Sequence, residues 1–326
     1  MGLRMRTKRR ITRAYCVELG HELTIGGARQ AYFNQTEPRS RFLFQCSSPE
    51  CRQLKIVPRI TAVNYDIHPT DVARVKSPHF KDNEHYAHHE ECEWVLPDED
   101  GGSDAPLPGE TEQQTRTRLA KRQLNAVIDI FVPPAQPEDP IVRPPQVASG
   151  EDAEKVKGRR AAAGGSQVTR TDRKHRSGDL RELVDYYHDA RETLGDLFPE
   201  VIINVAGRGE IPLRSYFKKV AWAKPDSAGC VYNGGGRIFR REGAGFVFKF
   251  YDSVADKDAF LQVSDEVMTR YRSRRYLNEL LNQAAAVRYL TFYFIGAFTH
   301  NEPSDTMIAQ IDDPRCIAID LGPLKK

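Results

Sequence analysis

The sequence predicts an α+β protein with two folded units, a zinc-ribbon-like one over 14–95 and a larger α+β one over 179–326, joined by a long disordered linker over 96–178. Three observations carry that expectation. Three of the six cysteines (Cys46, Cys51, Cys92) and five of the nine histidines (His68, His79, His85, His88, His89) crowd into one early stretch. Proline then recurs among acidic and glycine residues (Pro97, Pro106, Pro108, Pro133, Pro134, Pro137, Pro140, Pro144, Pro145), a composition that buries too little apolar surface to form a core. From Asp179 onward, helical and strand periodicities return. A length of 326 residues suits two domains.

Taken in order, residues 1–13 form a basic tail: Arg4, Arg6, Lys8, Arg9, Arg10 and Arg13 all precede the first acid, Glu18. No apolar run follows them, so the tail does not read as a secretory signal, and the expectation is a cytoplasmic protein. The longest apolar-rich run, Tyr289 to Phe298, is half of the ~20 residues a membrane helix needs, and no membrane association is expected. Short strands are expected at Ala14–Val17, Leu23–Ile25, Phe42–Gln45 and Leu54–Val57, with Gly20, Gly26 and Gly27 as turns between them.

Within the linker, Thr111 to Phe131 is helix-prone and ends in an apolar run from Ala126 to Val132, which suggests a segment that docks on a neighbour or on a protein partner. In the second unit Asp179 caps a helix with Leu180, Leu183, Val184, Tyr187 and Ala190 on one face. Strands follow at Val201–Val205, within Ile211–Trp222, at Gly229–Tyr232, at Arg237–Arg241 and at Phe246–Tyr251. In the last of these Phe246, Phe248 and Phe250 alternate with other residues, so one face lies in the core. Ser264 starts a helix with Asp265 and Glu266 in its first turn, expected to run to Ala285. Strands at Arg288–Phe298 and Cys316–Leu321 close the unit. From Ile211 the order is a run of strands, a helix and then two strands, and an OB-like barrel is one fold with such an order.

The chemistry concentrates in the first unit. Cysteine mixed with histidine points to a metal rather than to disulfides. Zinc takes four tetrahedral nitrogen or thiolate ligands, commonly as two close pairs. Cys46 and Cys51, four residues apart around Pro49, make one pair. Cys92 with a histidine makes the other, His88 leading the candidates before His89, His79 and His85. The expected site is therefore Cys46, Cys51, His88 and Cys92 around a structural Zn2+. A catalytic zinc with Glu90 or Glu91 as base is the alternative use of the same residues.

The stretch that begins Ala14-Tyr15-Cys16, passes Gly20, Ile25 and Phe44-Gln45-Cys46 to Cys51, and closes in His79-Phe80 and His88-x3-Cys92 resembles the zinc-finger-like N-terminal region of the CoiA-like competence proteins. The resemblance covers 14–94. It departs from the family in the four-residue cysteine spacing and in Lys81-Asp82-Asn83 after Phe80, where a further histidine is usual. It implies a bacterial protein that handles DNA, on a mobile element or in uptake or defence. Family members carry a nuclease after this region, which needs an acid followed by a Glu-x-Lys-like strand to hold a metal. Phe248-Lys249-Phe250 has Val247 where the acid belongs, and Asp312-Asp313 has no lysine nearby. The family's nuclease activity is accordingly not carried over.

A net charge of +3 says little, but its distribution says more. Basic clusters occur in the tail, across Lys155–Arg181, and at Arg270, Arg272, Arg274 and Arg275, and three such clusters favour a polyanionic partner. The glycine run Gly234-Gly235-Gly236 lacks the Gly-Lys-Ser/Thr ending of a phosphate loop and reads as a hairpin turn. Around it, and on the later helix, Arg240, Arg241, Arg270, Arg274 and Arg275 are candidate phosphate contacts, with Tyr232 and Phe239 as candidate stacking platforms. The expected function is a zinc-containing protein that binds nucleic acid, DNA foremost, without catalysis. The alternatives are a metal-dependent nuclease with an unrecognised active site, and a protein–protein adaptor docking on a partner through the zinc unit or 111–131.

Overall fold

The computed structural model describes residues 11–68, 78–95, 106, 108–121, 124, 127–134 and 176–325. Most of the basic tail and of the Lys155–Arg181 cluster, and linker residues 135–175, lie outside the described residues. The fold is mixed α+β, as expected.

The first unit runs β1 (Arg13–Cys16), β2 (His21–Thr24), α1 (Ile25–Phe33), β3 (Phe44–Cys46), α2 (Pro49–Arg52), β4 (Arg59–Val63) and β5 (His79–Asp82). The strands form an antiparallel sheet in the order β2-β1-β3-β4-β5. Strand alternation buries Ala14, Cys16, Phe44, Cys46, Ile60, Ala62 and Phe80 in one core. Two expectations fail here. Leu54–Val57 is not a strand: Pro58 intervenes, Ile56 is exposed, and pairing begins at Arg59. Gly26 and Gly27 are not a turn but the first turn of α1, whose N-cap Thr24 accepts a hydrogen bond from the Gly27 amide at 3.1 Å. The reason for glycine lies across the interface with the second unit. A Cβ on Gly26 would stand 2.5 Å from an Asp185 carboxylate oxygen, so a larger residue there would push that side chain aside.

The second unit contains α3 (Glu112–Lys121), β6 (Ile130–Phe131), β7 (Arg176–Ser177), α4 (Leu180–Leu194), β8 (Ile202–Val205), β9 (Gly209–Pro212), α5 (Leu213–Tyr216), β10 (Phe217–Lys219), β11 (Val231–Glu242), β12 (Gly245–Val254), β13 (Lys257–Val263), α6 (Asp265–Arg270), α7 (Arg274–Asn282), β14 (Leu290–Ile295), β15 (Thr299–Asn301), β16 (Thr306–Gln310) and β17 (Ile317–Leu321). Segment 111–131 docks on a neighbour, the first of the two uses expected of it, and is part of this unit. Ala120, Leu124, Ile128 and Phe131 are buried in its core, the Thr117 hydroxyl donates to the Glu200 carbonyl at 2.7 Å, and β6 joins β7, β8 and β9 in a small sheet. Its apolar run is therefore spent inside the chain.

The large sheet has eight strands, ordered β15-β16-β13-β12-β11-β14-β17 with β10 beside β11. It is open, and its two ends are not paired, so it replaces the five-stranded barrel that the element order suggested. The strands β13, β15 and β16, missed in the sequence, are what widen it. Gly234–Gly236 is not a hairpin turn but the middle of β11. A Cβ on Gly236 would meet the Lys249 carbonyl at 2.1 Å and the Phe248 ring at 2.7 Å, and one on Gly234 would meet Phe250 at 2.9 Å. These glycines make room for the phenylalanines of β12, whose rings form the core with Phe292 and Phe294.

The two units pack directly on each other through α1 against α4 and α7. The expected single helix from Ser264 is split at 271–273, and the second half takes its cap from the other unit. Asn34 of the first unit accepts from the Tyr276 amide at 2.9 Å, meeting a first-turn N–H that would otherwise lack a partner. Nearby, Glu279 of α7 receives Arg39 at 2.8 Å and His68 at 3.1 Å. At the base of α4, Glu182 accepts from both Thr24 and Ser177.

Beneath this interface lies a half-buried charge network. Arg181 reaches Asp185 on its own helix, and on β17 it donates to Asp320 at 2.7 Å and to the Ile319 carbonyl at 3.1 Å. His188 bonds the other Asp320 oxygen at 2.9 Å and lies 3.1 Å from the Tyr293 hydroxyl. Burial works against ionising Asp320, but Arg181 and then His188 hold its carboxyl well below the usual carboxylate range. Asp179, the α4 N-cap, goes the other way. Burial first, and Glu182 second, push it up to about 7.

Candidate metal centre

The site is built where β3 ends. Cys46 is the last residue of that strand, so its side chain points into the core by strand alternation. The chain then turns through Ser47 and Ser48 into α2, a single turn opened by Pro49, which holds φ where a first helical position needs it. That turn returns Cys51 to the same side as Cys46. The second pair comes from the turns after β5, which bring His88 and Cys92 up beneath it.

The Nδ1 of His88 and the three sulfurs all lie within 4.8 Å of one another, and the group can hold a metal ion. Cys46 Sγ is 3.6 Å from Cys92 Sγ, and His88 Nδ1 is 3.5 Å from Cys51 Sγ and 3.3 Å from Cys92 Sγ. An ion bound tetrahedrally by sulfur at about 2.3 Å and imidazole nitrogen at about 2.0 Å has edges of roughly 3.5–3.8 Å. The observed spacings are close to those edges. All three cysteines are buried, and the His88 side chain is only 3% exposed.

The surroundings suit the same purpose. The outward His88 Nε2 is 2.9 Å from Asp82 Oδ1, which fixes the tautomer that presents Nδ1 to the sulfurs. The His89 amide donates to Cys51 Sγ at 3.3 Å. Behind the sulfurs, Ser47 accepts from the Trp94 indole at 2.9 Å and donates to Glu93, which is itself held by Arg13 at 2.7 Å. Hydrogen bonds from Cys46 and Cys92 pull the Cys51 thiol down to about 3, while the same contacts, with burial, hold Cys46 protonated. One thiolate comes at no cost, but three at this spacing need a cation among them.

Of the other candidate ligands, His89 faces away, its ring accepting from the Glu91 amide at 3.1 Å, and His85 is exposed. His79 pairs in β5 opposite Val63. Replacing Asp82 by asparagine should weaken metal affinity by about 10–100-fold, because the amide cannot supply the charge that raises ligand basicity. Competition titration against a chromophoric chelator measures this, and an unchanged affinity would deny Asp82 that part.

The candidate nucleic-acid contacts do not form one site. Tyr232 is buried, its hydroxyl donating to the Ser227 carbonyl at 3.1 Å and its ring beside Phe294 and Phe298, so it offers no surface for stacking. Arg240 pairs with Glu242 and Arg270 with Glu266. Arg274 donates to the Thr269 carbonyl, Arg275 to Asn34 and Thr36 across the unit interface, and Arg241 to Asn278. Phe239 alone of the set is exposed and unburdened.

Sequence reasoning missed a different group. Residues 208–224 carry Arg208, Arg214, Lys218, Lys219 and Lys224 against one acid, Glu210. None of these five cations has an ion-pair partner among the described residues. Arg237, in β11, likewise has none. The run was legible as composition, but it is spread over a strand, a helical turn and a loop, and so shows no block of charge.

Among the described residues no helix is long and apolar enough to cross a membrane. Comparison with protein-family models, with curated proteins and with solved structures finds no match to this chain.

Proposed function

We propose that this chain is a zinc-containing protein that binds nucleic acid, DNA foremost, with no catalysis of its own. Zinc suits the donor set: three thiolates and one imidazole, buried and tetrahedrally spaced, are its usual structural environment. Four ligands leave no open position for water or substrate, so the metal's part is to hold the first unit together. Cys46, Cys51, His88 and Cys92 would hold the ion, and Asp82 would orient His88.

The observation that carries the nucleic-acid reading is the set of unpaired cations over 208–224. Surface cations usually find a carboxylate nearby; five in one stretch left without one give a local positive field suited to phosphates. The resemblance of 14–94 to the zinc-finger-like region of the CoiA-like competence proteins supports DNA as the partner.

A salt series tests this. The zinc-loaded protein is titrated against labelled duplex and single-stranded DNA between 50 and 200 mM salt, with magnesium present and strand integrity followed on a gel. The expected result is binding whose logarithm falls linearly with log salt, by about 0.7–0.9 per phosphate contacted, with the DNA left intact. Reversing Lys218 and Lys219 to glutamate should lower both the affinity and that slope. Cleavage would identify a nuclease instead. Absence of binding to any DNA would leave a protein–protein adaptor.

A further inference from the structure

Among the described residues eleven large apolar side chains stand exposed, and the four aromatic ones all belong to the large sheet and its borders: Trp222 (68% exposed), Phe239 (58%), Tyr251 (62%) and Tyr289 (40%). An exposed ring here and there is ordinary; gathering on one sheet is not.

Register places most of them on one face. Arg237 of β11 pairs opposite Lys249 of β12, which pairs opposite Phe260 of β13, so these three side chains share a face. Phe239 lies edge-on to Phe260 at 5.5 Å, and Lys249 sits 5.6 Å over the same ring. Further along, Tyr251 and Tyr289 flank Gly235, their ring atoms 3.7 and 3.9 Å from where its Cβ would stand. The opposite face carries Phe246, Phe248 and Phe250 and is buried. A strip of rings therefore crosses β13, β12 and β11 to the start of β14, about 14 Å at the usual strand spacing.

The strip ends beside the unpaired cations. β10 runs parallel to β11 with Lys219 opposite Asn233, two residues before Gly235. Lys219 lies 5.9 Å from the Trp222 ring, and the turn 220–222 adjoins β12. Along the strip itself Arg237 is unpaired. Its bordering acids, Asp258 and Glu242, are already taken by Lys249 and Arg240.

We propose that this sheet face binds single-stranded DNA, with bases stacked on Tyr251, Tyr289 and Phe239 and the phosphates led along Arg237 and Lys219. The proposal rests on the nucleic-acid reading above and adds the strand state and the path. Bases in a duplex are stacked on one another and cannot lie on side chains, whereas unpaired bases present a π-face to any exposed ring. DNA rather than RNA follows from the nucleic-acid reading above; the 2′-hydroxyl is what tells the two apart. Three platforms over this length correspond to on the order of four nucleotides, the low end for such sheets.

The test uses the zinc-loaded full chain and three probes of equal length: a dT 15-mer, a U 15-mer and a mixed-sequence 15-bp duplex, followed by fluorescence anisotropy. The dT 15-mer should bind tightest and should quench the emission of Trp222, since the other tryptophan, Trp94, is buried. Tyr251→Ala and Tyr289→Ala should each weaken dT binding by about 5- to 150-fold while leaving duplex binding unchanged. Ile56→Ala, exposed in the first unit, should change neither. Tyr251 is mostly in solvent and Tyr289 is 40% exposed, so little change in melting temperature is expected for the first and a small drop for the second, and the melting curves verify folding. Tighter binding of the duplex or the U 15-mer overturns the proposal and leaves nucleic-acid binding standing. So do folded tyrosine variants that bind dT normally. Absence of binding to all three probes overturns both.

Discussion

Removing the metal should unfold the first unit and spare most of the second. The β1–β5 sheet encloses a core of modest size, and four of its buried groups are Cys46, Cys51, Cys92 and His88. With the ion gone, three sulfurs within hydrogen-bond reach of one another can share protons but not carry three charges. The apparent stabilisation from a structural zinc is on the order of 10 kcal/mol or more at neutral pH. No single side chain elsewhere in the chain approaches that. Cys92→Ser, which removes a buried ligand, should give the same outcome as chelation. Hydrogen exchange by mass spectrometry reads it directly: amides of 13–63 lose protection, while those of β11, β12 and β14 keep theirs. Because α7 takes its cap from Asn34, the 274–277 amides should exchange faster too. Acid should mimic chelation, since protons compete with the ion for thiolates and imidazole as pH falls. An apo protein whose first unit stays protected would mean that the sheet needs no metal.

Replacing Arg181 should be the most damaging change among the charged residues of the second unit. Arg181→Met keeps the aliphatic length but leaves Asp320 and Asp185 without their cation. Breaking a buried pair from one side costs about 3–5 kcal/mol; Asp185 and Asp320 are 40% and 31% exposed, which lowers the expectation to about 1–3 kcal/mol. The pH dependence checks the mechanism. Asp320 is held below its ordinary value, so its contribution is present above the unfolded carboxylate range and fades as pH falls through the folded value. The stability gap between the parent and Arg181→Met should therefore be full at pH 7 and shrink below about pH 4. Urea unfolding at both pH values measures it. A gap under 0.5 kcal/mol at pH 7 would show that the network is not stabilising.

Local chemistry was the most readable part of this sequence, and long-range pairing the least. Two cysteines four apart around a proline, and a histidine four before a third cysteine, told which residues can hold a metal, because ligand spacing is a local property. The Phe246-Phe248-Phe250 alternation located β12, and Asp179 marked the start of α4, for the same reason. Gly234–Gly236 misled because glycine was read as a turn; the cause of those glycines is the bulk of Phe248 and Phe250 on the neighbouring strand. Gly26 misled likewise, its reason being Asp185, far along the chain. Tyr232 and the arginines of 240–275 were judged by composition; Arg240 and Arg270 are taken by acids close in sequence, Glu242 and Glu266, whereas Arg241 and Arg275 meet Asn278 and Asn34, which only the fold brings near. The ring strip went unseen because Tyr251, Tyr289, Phe239 and Arg237 come from three separate segments.

The claim on which the rest stands is a closed zinc centre of three sulfurs and one nitrogen, and X-ray absorption at the zinc edge, on protein with its metal content determined, tests it most directly. The predicted result is one zinc per chain with about three sulfur neighbours near 2.3 Å and one nitrogen near 2.0 Å, the sulfur count falling by one in Cys92→Ser if that variant retains metal. A protein isolated without zinc and unable to take it up, or a zinc shell of nitrogen and oxygen alone, would contradict it.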